Sequence, residues 1–230
     1  MFRTAGEIRR FAPDEYTEST EVVILIHGLF MGGYHFTPMA RRLAAAGYLA
    51  VEYDYPTRLN GFVGHGKAFR KYLLGFMMDN PLRRINFVTH SMGAIVLRTA
   101  LAEALPEGFG NRLGRAVLLA PPNHGSPVAR LVTGLPGNPG RLWKPIAELS
   151  DSPGAAIHRV PPLTALPFGV LAARCDHLVP ETSNHLDGER DYRIRPAIHT
   201  SLVFGRENTR LVINFLQTGN FSGITSPNHS

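Results

Sequence analysis

Apolar residues along the chain follow two different periods. Continuous runs such as Val22–Ile26 and residues 168–173 are typical of strands buried on both faces of a sheet. Between these runs, apolar residues recur every three or four positions, which is the spacing of one helix face. The strand-like runs lie at residues 22–26, 48–53, 85–88, 116–120, 168–173 and 192–195, and the last is more polar, as expected for an edge strand.

Residues that start and stop helices bound the stretches in between. Thr37-Pro38 places a proline in a first helical turn, a position that suits it. Glycine or proline follows the end of each helical period. The predicted helices end at Gly47, before Asn80-Pro81, near Leu105 ahead of Pro106, and at Gly219.

This alternation of strands and helices predicts the α/β class, with a mostly parallel sheet of about six strands and helices on both faces. The chain has 230 residues, of which 44% are hydrophobic and 18% charged, so a single domain over 1–230 is expected. In such sheets, ligand sites form beyond the carboxyl ends of the strands.

Residues 121–165 interrupt the alternation. Fourteen of these 45 residues are proline or glycine, and apolar residues are scattered among them. The segment is either a packed loop with short helices or a small lid at the rim of a substrate site. It is too short for a large cap. Residues 221–230 show no period and are expected to form a loose tail.

Charge and cysteine content narrow the function classes. The net charge is +6 and the pI about 9.8, but the basic residues are scattered, which argues against nucleic-acid binding. Weak contact with an anionic membrane surface is compatible with this charge. Cys175 is the single cysteine, so no internal disulfide forms. With no secretory apolar region and no membrane span, we expect a cytoplasmic location.

A Ser–Met–Gly triplet lies between a strand-like and a helix-like run, in THSMGAIVL. A serine before an apolar helix is often only an N-cap. The spacing here instead matches a nucleophile elbow, in which a sharp strand-to-helix turn exposes the serine hydroxyl. Gly93 supplies the small residue after the turn, whereas Thr89 stands where glycine is commoner. Ser91 is therefore the candidate nucleophile.

A serine nucleophile needs a base, and that base an orienting acid. If the chain order is serine, acid, histidine, His199 is the base, because it follows the last strand. His185 comes too early and His229 lies in the tail. Asp176 directly follows the fifth strand-like run and is the candidate acid, with Asp187 and Glu181 as surface-charge alternatives.

An oxyanion needs preorganised N–H donors. The backbone amide of Met92 directly follows the nucleophile, and that of Leu29 lies in the glycine-rich loop after the first strand-like run. His27, in the same loop, is predicted to be structural. A metal site is not predicted, because the ligand types at Asp176, His177, His185 and Asp187 lack a compact spacing.

These motifs together resemble the small α/β-hydrolases of the bacterial lipase and esterase type, over about residues 20–218. LIHGLFMGG is similar to their oxyanion loop, VTHSMGA to their elbow, CDHLVP to their acid loop and AIHTSLV to their histidine loop. LAPPNHGS is similar to the segment that borders their acyl pocket. The resemblance implies an α/β-hydrolase fold, a minimal cap, and substrate contacts from Phe30, Pro121 and Pro122.

The predicted activity is hydrolysis of a carboxylic ester or lipid through a Ser91 acyl-enzyme, without cofactor or metal. The motif loops carry no clustered charge, so neutral esters with short to medium acyl chains are expected. A thioesterase or amidase with the same triad is the alternative. A non-catalytic ligand receptor is a further one, because a fold does not fix a function.

Overall fold

The computed structural model of the chain describes residues 6–58, 60–135 and 144–223. Its seven-stranded sheet has the order β1-β3-β2-β4-β5-β6-β7. Only β1 is antiparallel, to β3, and every other neighbouring pair is parallel. The strands are β1 (Gly6–Phe11), β2 (Val22–Ile26), β3 (Leu49–Asp54), β4 (Ile85–His90), β5 (Leu113–Leu119), β6 (Phe168–Ala173) and β7 (Asp191–Arg195).

The helices within the described ranges pack on both faces of this sheet. They are α1 (Thr37–Ala45), α2 (Phe62–Asp79), α3 (Met92–Ala100), α4 (Pro127–Gly134), α5 (Lys144–Glu148), α6 (Glu181–Asn184) and α7 (Arg206–Thr218). Ile24 of β2 packs in one core cluster with residues of α2 and α3, whereas its neighbour Leu25 packs in a second with residues of α1 and α7. Alternate side chains of a strand point to opposite faces, so the continuous apolar run serves both clusters.

The predicted mostly parallel α/β fold is confirmed, with differences in detail. The sheet has seven strands rather than the predicted six or so, because β1 was not recognised in the sequence. This edge strand reads GEIRRF, whose charged residues and bulge break any continuous apolar run. The third helix ends at Ala100 rather than near Leu105, because Leu101 already leaves helical geometry. β7 lies at the other edge of the sheet, as predicted.

The loop-rich segment at 121–165 contains α4 and α5, which contact each other. Ser126, before α4, and Ser150, after α5, form an isolated parallel bridge, and the Ser126 N–H donates to the Leu149 carbonyl at 2.8 Å. The apolar Leu142 and Trp143 lie outside the described residues. So do 224–230, most of the predicted loose tail.

The close approach of α3 to the end of β2 fixes where the elbow lies. A Cβ atom on Gly93 would be 2.3 Å from the Ile26 carbonyl oxygen and 2.8 Å from that of His27. Backbone atoms cannot move aside as a flexible side chain can. Glycine at position 93 is therefore required for the first turn of α3 to lie on the strand end that carries the glycine-rich loop.

Replacing Gly93 with alanine should lower the free energy of unfolding, by about 1–3 kcal/mol, through overpacking. Gly75→Ala is the matched control. Gly75 lies inside α2 with no atom within 4 Å of an added Cβ, so alanine there should raise stability by up to about 1 kcal/mol. Urea unfolding of both variants tests this. Equal stabilisation by the two substitutions would show that the contact at Gly93 is unimportant.

Candidate active site

Ser91 is the single residue between β4 and α3. β4 is the central strand of the sheet and ends at His90, and α3 begins at Met92. The turn holds Ser91 at φ 52° and ψ −126°, a strained conformation for a residue other than glycine. Its N–H donates to the Leu119 carbonyl at 2.9 Å, which ties the turn to β5. The Ser91 hydroxyl makes no capping hydrogen bond to α3, so the residue is not a conventional N-cap.

Thr89, the departure from the usual elbow, is accommodated within the sheet. It pairs with Ile26 on one side and Leu118 on the other, and it is fully buried. The turn at Ser91 forms although a side chain stands where glycine is commoner.

Asp176 and His199 form a short charged hydrogen bond. Asp176 lies in the loop after β6, and His199 begins a short 3-10 turn (His199–Val203) after β7. The His199 Nδ1 atom is 2.6 Å from Asp176 Oδ2, and the two side chains are 9% and 2% exposed. A carboxylate only accepts, so Nδ1 carries a proton, and Nε2 is the ring nitrogen that faces away from the acid.

The Asp176 carboxylate is held ionised by its surroundings. Burial alone would raise its pKa, but the hydrogen bond and charge of His199 lower it. The N–H groups of Leu178 and Val179 also donate to Oδ1, each at 2.9 Å. The net effect is a pKa below the usual value for aspartate. The acid is thus fixed in charge and in orientation towards His199.

His90 links the elbow to the histidine loop. Its Nε2 atom donates to the His199 carbonyl at 3.0 Å, and the two rings lie 4.7 Å apart between centroids. Burial, reinforced by repulsion from His199, lowers the pKa of His90 to about 3. His90 is therefore a neutral hydrogen-bond donor that positions the backbone of His199.

The loop of residues 27–32 passes directly over the elbow and is called the oxyanion loop below. A Cβ atom on Gly28 would be 2.9 Å from Ser91 Cβ, so glycine permits this approach. The Phe30 N–H donates to Thr57 Oγ1 at 3.2 Å. By contrast, the N–H groups of Leu29 and Met92 have no hydrogen-bond acceptor within the described part of the chain. These two amides are available to an oxyanion.

His27, the first residue of this loop, is held in place by contacts with Asp54 and Tyr55. It is fully buried, with Nε2 3.0 Å from Asp54 Oδ1 and its ring stacked on Tyr55 at 4.4 Å between centroids. The Tyr55 hydroxyl donates to the His27 carbonyl at 2.7 Å. These contacts lie within the fold, in keeping with the structural role predicted for His27.

Ser91 and His199 open onto one apolar cavity of about 250 Å³. Phe30 and Pro122, two of the three residues predicted to contact substrate, line it. Pro121 does not; it is buried, and its carbonyl accepts the Asn123 N–H at 2.9 Å within the turn. The rest of the wall comes mainly from the oxyanion loop, the acid loop and the segment 126–149, through Leu29, Met31, Val128, Ala129, Val132, Ile146, Leu149, Leu178 and Val179.

The residues weighed as alternative acids and bases do not line this cavity where the structure describes them. His185 pairs with Glu189 at 2.7 Å and stacks on Tyr192. Asp187 and Glu181 are exposed. His229 lies outside the described residues. Within the described ranges, no group of three or more potential ligands is arranged to hold a metal, and Asp176 is committed to His199 rather than to His177.

The roles of two residues near the site were missed from the sequence. His90 was read only as part of the elbow motif, although its ring touches a residue 109 positions away. Thr57, which supports the oxyanion loop, has no local pattern that identifies it. The helices α4 and α5 line the cavity, in the segment for which one interpretation of the sequence was a small lid or rim at a substrate site, and Val128 and Val132 are spaced as on one helix face.

Residues 23–217 match the sequence profile of the alpha/beta hydrolase family. Because the match covers most of the chain, the protein belongs to that family. The resemblance inferred from the motifs is thereby confirmed. No curated protein sequence gives a significant match to the chain.

Solved structures show the same fold at low sequence identity. The mature form of a Bacillus licheniformis lipase is 15% identical, with a TM-score of 0.66, and the match covers 86% of this chain and 92% of the lipase. Lipase B of Aspergillus fumigatus is 14% identical, with a TM-score of 0.66 over 95% of this chain and 61% of that one. An alpha-beta serine hydrolase homologue from Coxiella burnetii is 14% identical, with a TM-score of 0.59 over 94% and 98%.

Among the described helices, none is both long enough and apolar enough to span a lipid bilayer.

The buried neutral state of His90 should make the fold sensitive to acid. Its pKa is about 3 when folded against an ordinary 6.5, so between these values only the unfolded chain binds the proton. Protonation therefore favours unfolding. The free energy of unfolding should fall as the pH drops below 6.5, with a contribution from this group of about 1.4 kcal/mol per pH unit.

His90→Gln keeps an N–H donor but removes the titrating group, so its stability should fall less steeply with acid. His158→Gln, at an exposed position, is the control and should keep the wild-type slope. Urea unfolding at several pH values between 4.5 and 6.5, a range chosen inside the two pKa values, gives the slopes. Parallel slopes for wild type and His90→Gln would contradict the assignment.

Proposed function

We propose that the protein is a serine carboxylic-ester hydrolase, an esterase or lipase, that uses Ser91, His199 and Asp176 as its catalytic triad. The observation that carries this proposal is the convergence on one cavity of a strained, partly exposed serine and a histidine with a buried carboxylate 2.6 Å from its Nδ1 atom. A serine hydroxyl is weakly nucleophilic without such a base.

In the proposed reaction, Ser91 Oγ attacks the ester carbonyl carbon while His199 Nε2 takes the hydroxyl proton. The tetrahedral intermediate collapses, the bond to the alcohol oxygen breaks, and His199 returns the proton to that oxygen. Water then attacks the acyl-enzyme with His199 again as base. The products are an acid and an alcohol, and Ser91 is regenerated.

Charge develops on two groups during this reaction, the imidazole of His199 and the carbonyl oxygen of the ester, and each is stabilised by neighbouring groups. The imidazolium of His199 is stabilised by the ionised Asp176, whose pKa is lowered. The oxyanion is placed to accept hydrogen bonds from the unpaired N–H groups of Leu29 and Met92. The contact of Gly28 with Ser91 supports a role for this loop close to the reacting carbon.

The cavity supports a neutral acyl group. Its wall is almost entirely apolar, and burial of an unpaired charge there would be costly. A volume of about 250 Å³ lies below the roughly 300–1,000 Å³ of typical ligand pockets, which favours short to medium chains. Exposed Phe30, Val128 and Leu178 at its rim suit contact with an ester or lipid substrate and weakly with a membrane surface. A cytoplasmic location remains a prediction.

The same triad could cleave a thioester or an amide. Wild-type protein should be assayed on an ester, a thioester and an amide with one common acyl group, and we expect the ester to be cleaved fastest. Ser91→Ala should lose several orders of magnitude in kcat, roughly 10⁴-fold or more, because only binding and the oxyanion donors remain. Circular dichroism checks that the variant is folded.

A fluorophosphonate probe provides a readout independent of substrate choice. It should label wild-type protein and leave Ser91→Ala unlabelled. Full turnover by folded Ser91→Ala would rule out the mechanism. Absence of both labelling and turnover in the wild type would favour the non-catalytic receptor.

The acid is tested by Asp176→Asn. This change keeps the size of the side chain but removes the charge, and its amide can favour the wrong tautomer of His199, so kcat should fall by about 10⁴-fold. Asp187→Asn, at an exposed site close in sequence, should change kcat by less than about threefold. Both are measured on one ester. If Asp187→Asn were the inactive variant, the assignment of the acid would be wrong.

A further inference from the structure

A second cleft, of about 340 Å³, adjoins the apolar cavity. Phe30 and Met31 line both, so the two spaces meet at the oxyanion loop. The rest of its wall is formed by residues 54–58, which follow β3 and include an aspartate, a threonine and an arginine. An ester has an acyl part and an alcohol part, and the apolar cavity accounts for only the first.

Arg58 gives this cleft its charge. The side chain is exposed, and its guanidinium carbon lies 5.4 Å from the centre of the Phe30 ring. Across residues 6–58, 60–135 and 144–223, Arg58 has no carboxylate within ion-pair distance. Packing on Phe30 therefore holds a cation beside the oxyanion loop, with its N–H donors open to a ligand.

Asp54, the acid of the same cleft, is directed into the protein. Its Oδ1 atom is 3.0 Å from His27 Nε2 and accepts the Gly33 N–H at 2.9 Å. Its side chain is only 4% exposed. The charge that a ligand would meet in this cleft is consequently that of Arg58.

The cleft is also joined to the catalytic loop. Thr57, next to Arg58, accepts the Phe30 N–H at 3.2 Å and so supports the turn in which Phe30 has a φ of 59°. A group bound at Arg58 would lie against the loop that carries the Leu29 amide. It would orient a substrate whose acyl chain occupies the apolar cavity.

We propose that this cleft binds the alcohol part of the substrate and that Arg58 recognises an acid group, a carboxylate or a phosphate, on that alcohol. The inference rests on the proposed esterase function and deepens it. The acyl part remains neutral, whereas an acidic alcohol departs from the neutral ester that the sequence predicts. The preference for a charged alcohol arises from a residue outside the motif loops, which only the fold brings to Phe30.

The expected effect is moderate, because Arg58 is exposed and water screens its charge. Arginine can still bind a carboxylate or phosphate through two parallel hydrogen bonds, which are stronger than a single neutral one. We expect kcat/KM for an ester with an acidic alcohol to exceed that of a matched neutral ester by about three- to tenfold. High salt should reduce this preference.

The test uses three esters with one acyl group, whose alcohols carry a neutral group, a carboxylate or a phosphate. Arg58→Gln should remove the preference for the acidic alcohols and leave turnover of the neutral ester within about twofold. Arg58→Lys should keep part of it, because lysine retains the charge without the planar fork. Arg84→Gln is the charge-matched control, since Arg84 is exposed and precedes the amino end of β4, whereas Arg58 follows the carboxyl end of β3.

Each result has a defined meaning. If Arg58→Gln, but not Arg84→Gln, loses the preference for both acidic esters over the neutral ester, the cleft is a general anion site. If Arg58→Gln loses the preference only for the phosphate ester, phosphate is the group that Arg58 recognises. If the neutral ester is hydrolysed but the acidic ones show no preference, or if Arg84→Gln has the same effect, the inference is wrong and the esterase proposal stands. If none of the three esters is hydrolysed, the esterase proposal fails and this inference with it.

Discussion

The first turn of α3 lies directly on the backbone at the end of β2, and the rest of the site depends on this contact. With a hydrogen atom at position 93, the carbonyl groups of Ile26 and His27 can approach the helix. This approach places the loop of residues 27–32 over Ser91. A side chain at position 93 would push the first turn of α3 away from the end of β2 and so change how this loop lies on Ser91.

Burial then selects the protonation states around the serine. His90 is neutral because a charge so deep in the protein would be costly, and as a neutral ring it donates to the carbonyl of His199. Asp176 is also buried, yet it stays ionised because His199 and two backbone N–H groups surround it with donors. The two histidines are in contact but differ in environment. His90 positions the backbone of the loop that carries His199, and His199 faces the cavity.

The sequence was sufficient to predict the parts of the fold and site that depend on local patterns. Continuous apolar runs identified β2 and β6, and the chain order of Ser91, Asp176 and His199 followed from the strand preceding each. β1 could not be found this way, because an edge strand with charged residues buries too little surface to show a period. The roles of His90 and Thr57 depend on contacts with residues distant in sequence. Pro121 was predicted to contact substrate because LAPPNHGS resembles the segment that borders the acyl pocket, but neighbouring residues in a turn can face opposite ways.

The bridge between Ser126 and Ser150 joins the two ends of the segment that carries α4 and α5, which supplies part of the cavity wall. The chain between these two residues is therefore a loop closed at its base. The entropy of closing a loop grows only slowly with its length, so such a loop can lengthen or change without loosening the strands beneath. New cavity walls can therefore evolve or be engineered between positions 126 and 150 while the strands and the turn at Ser91 are left intact.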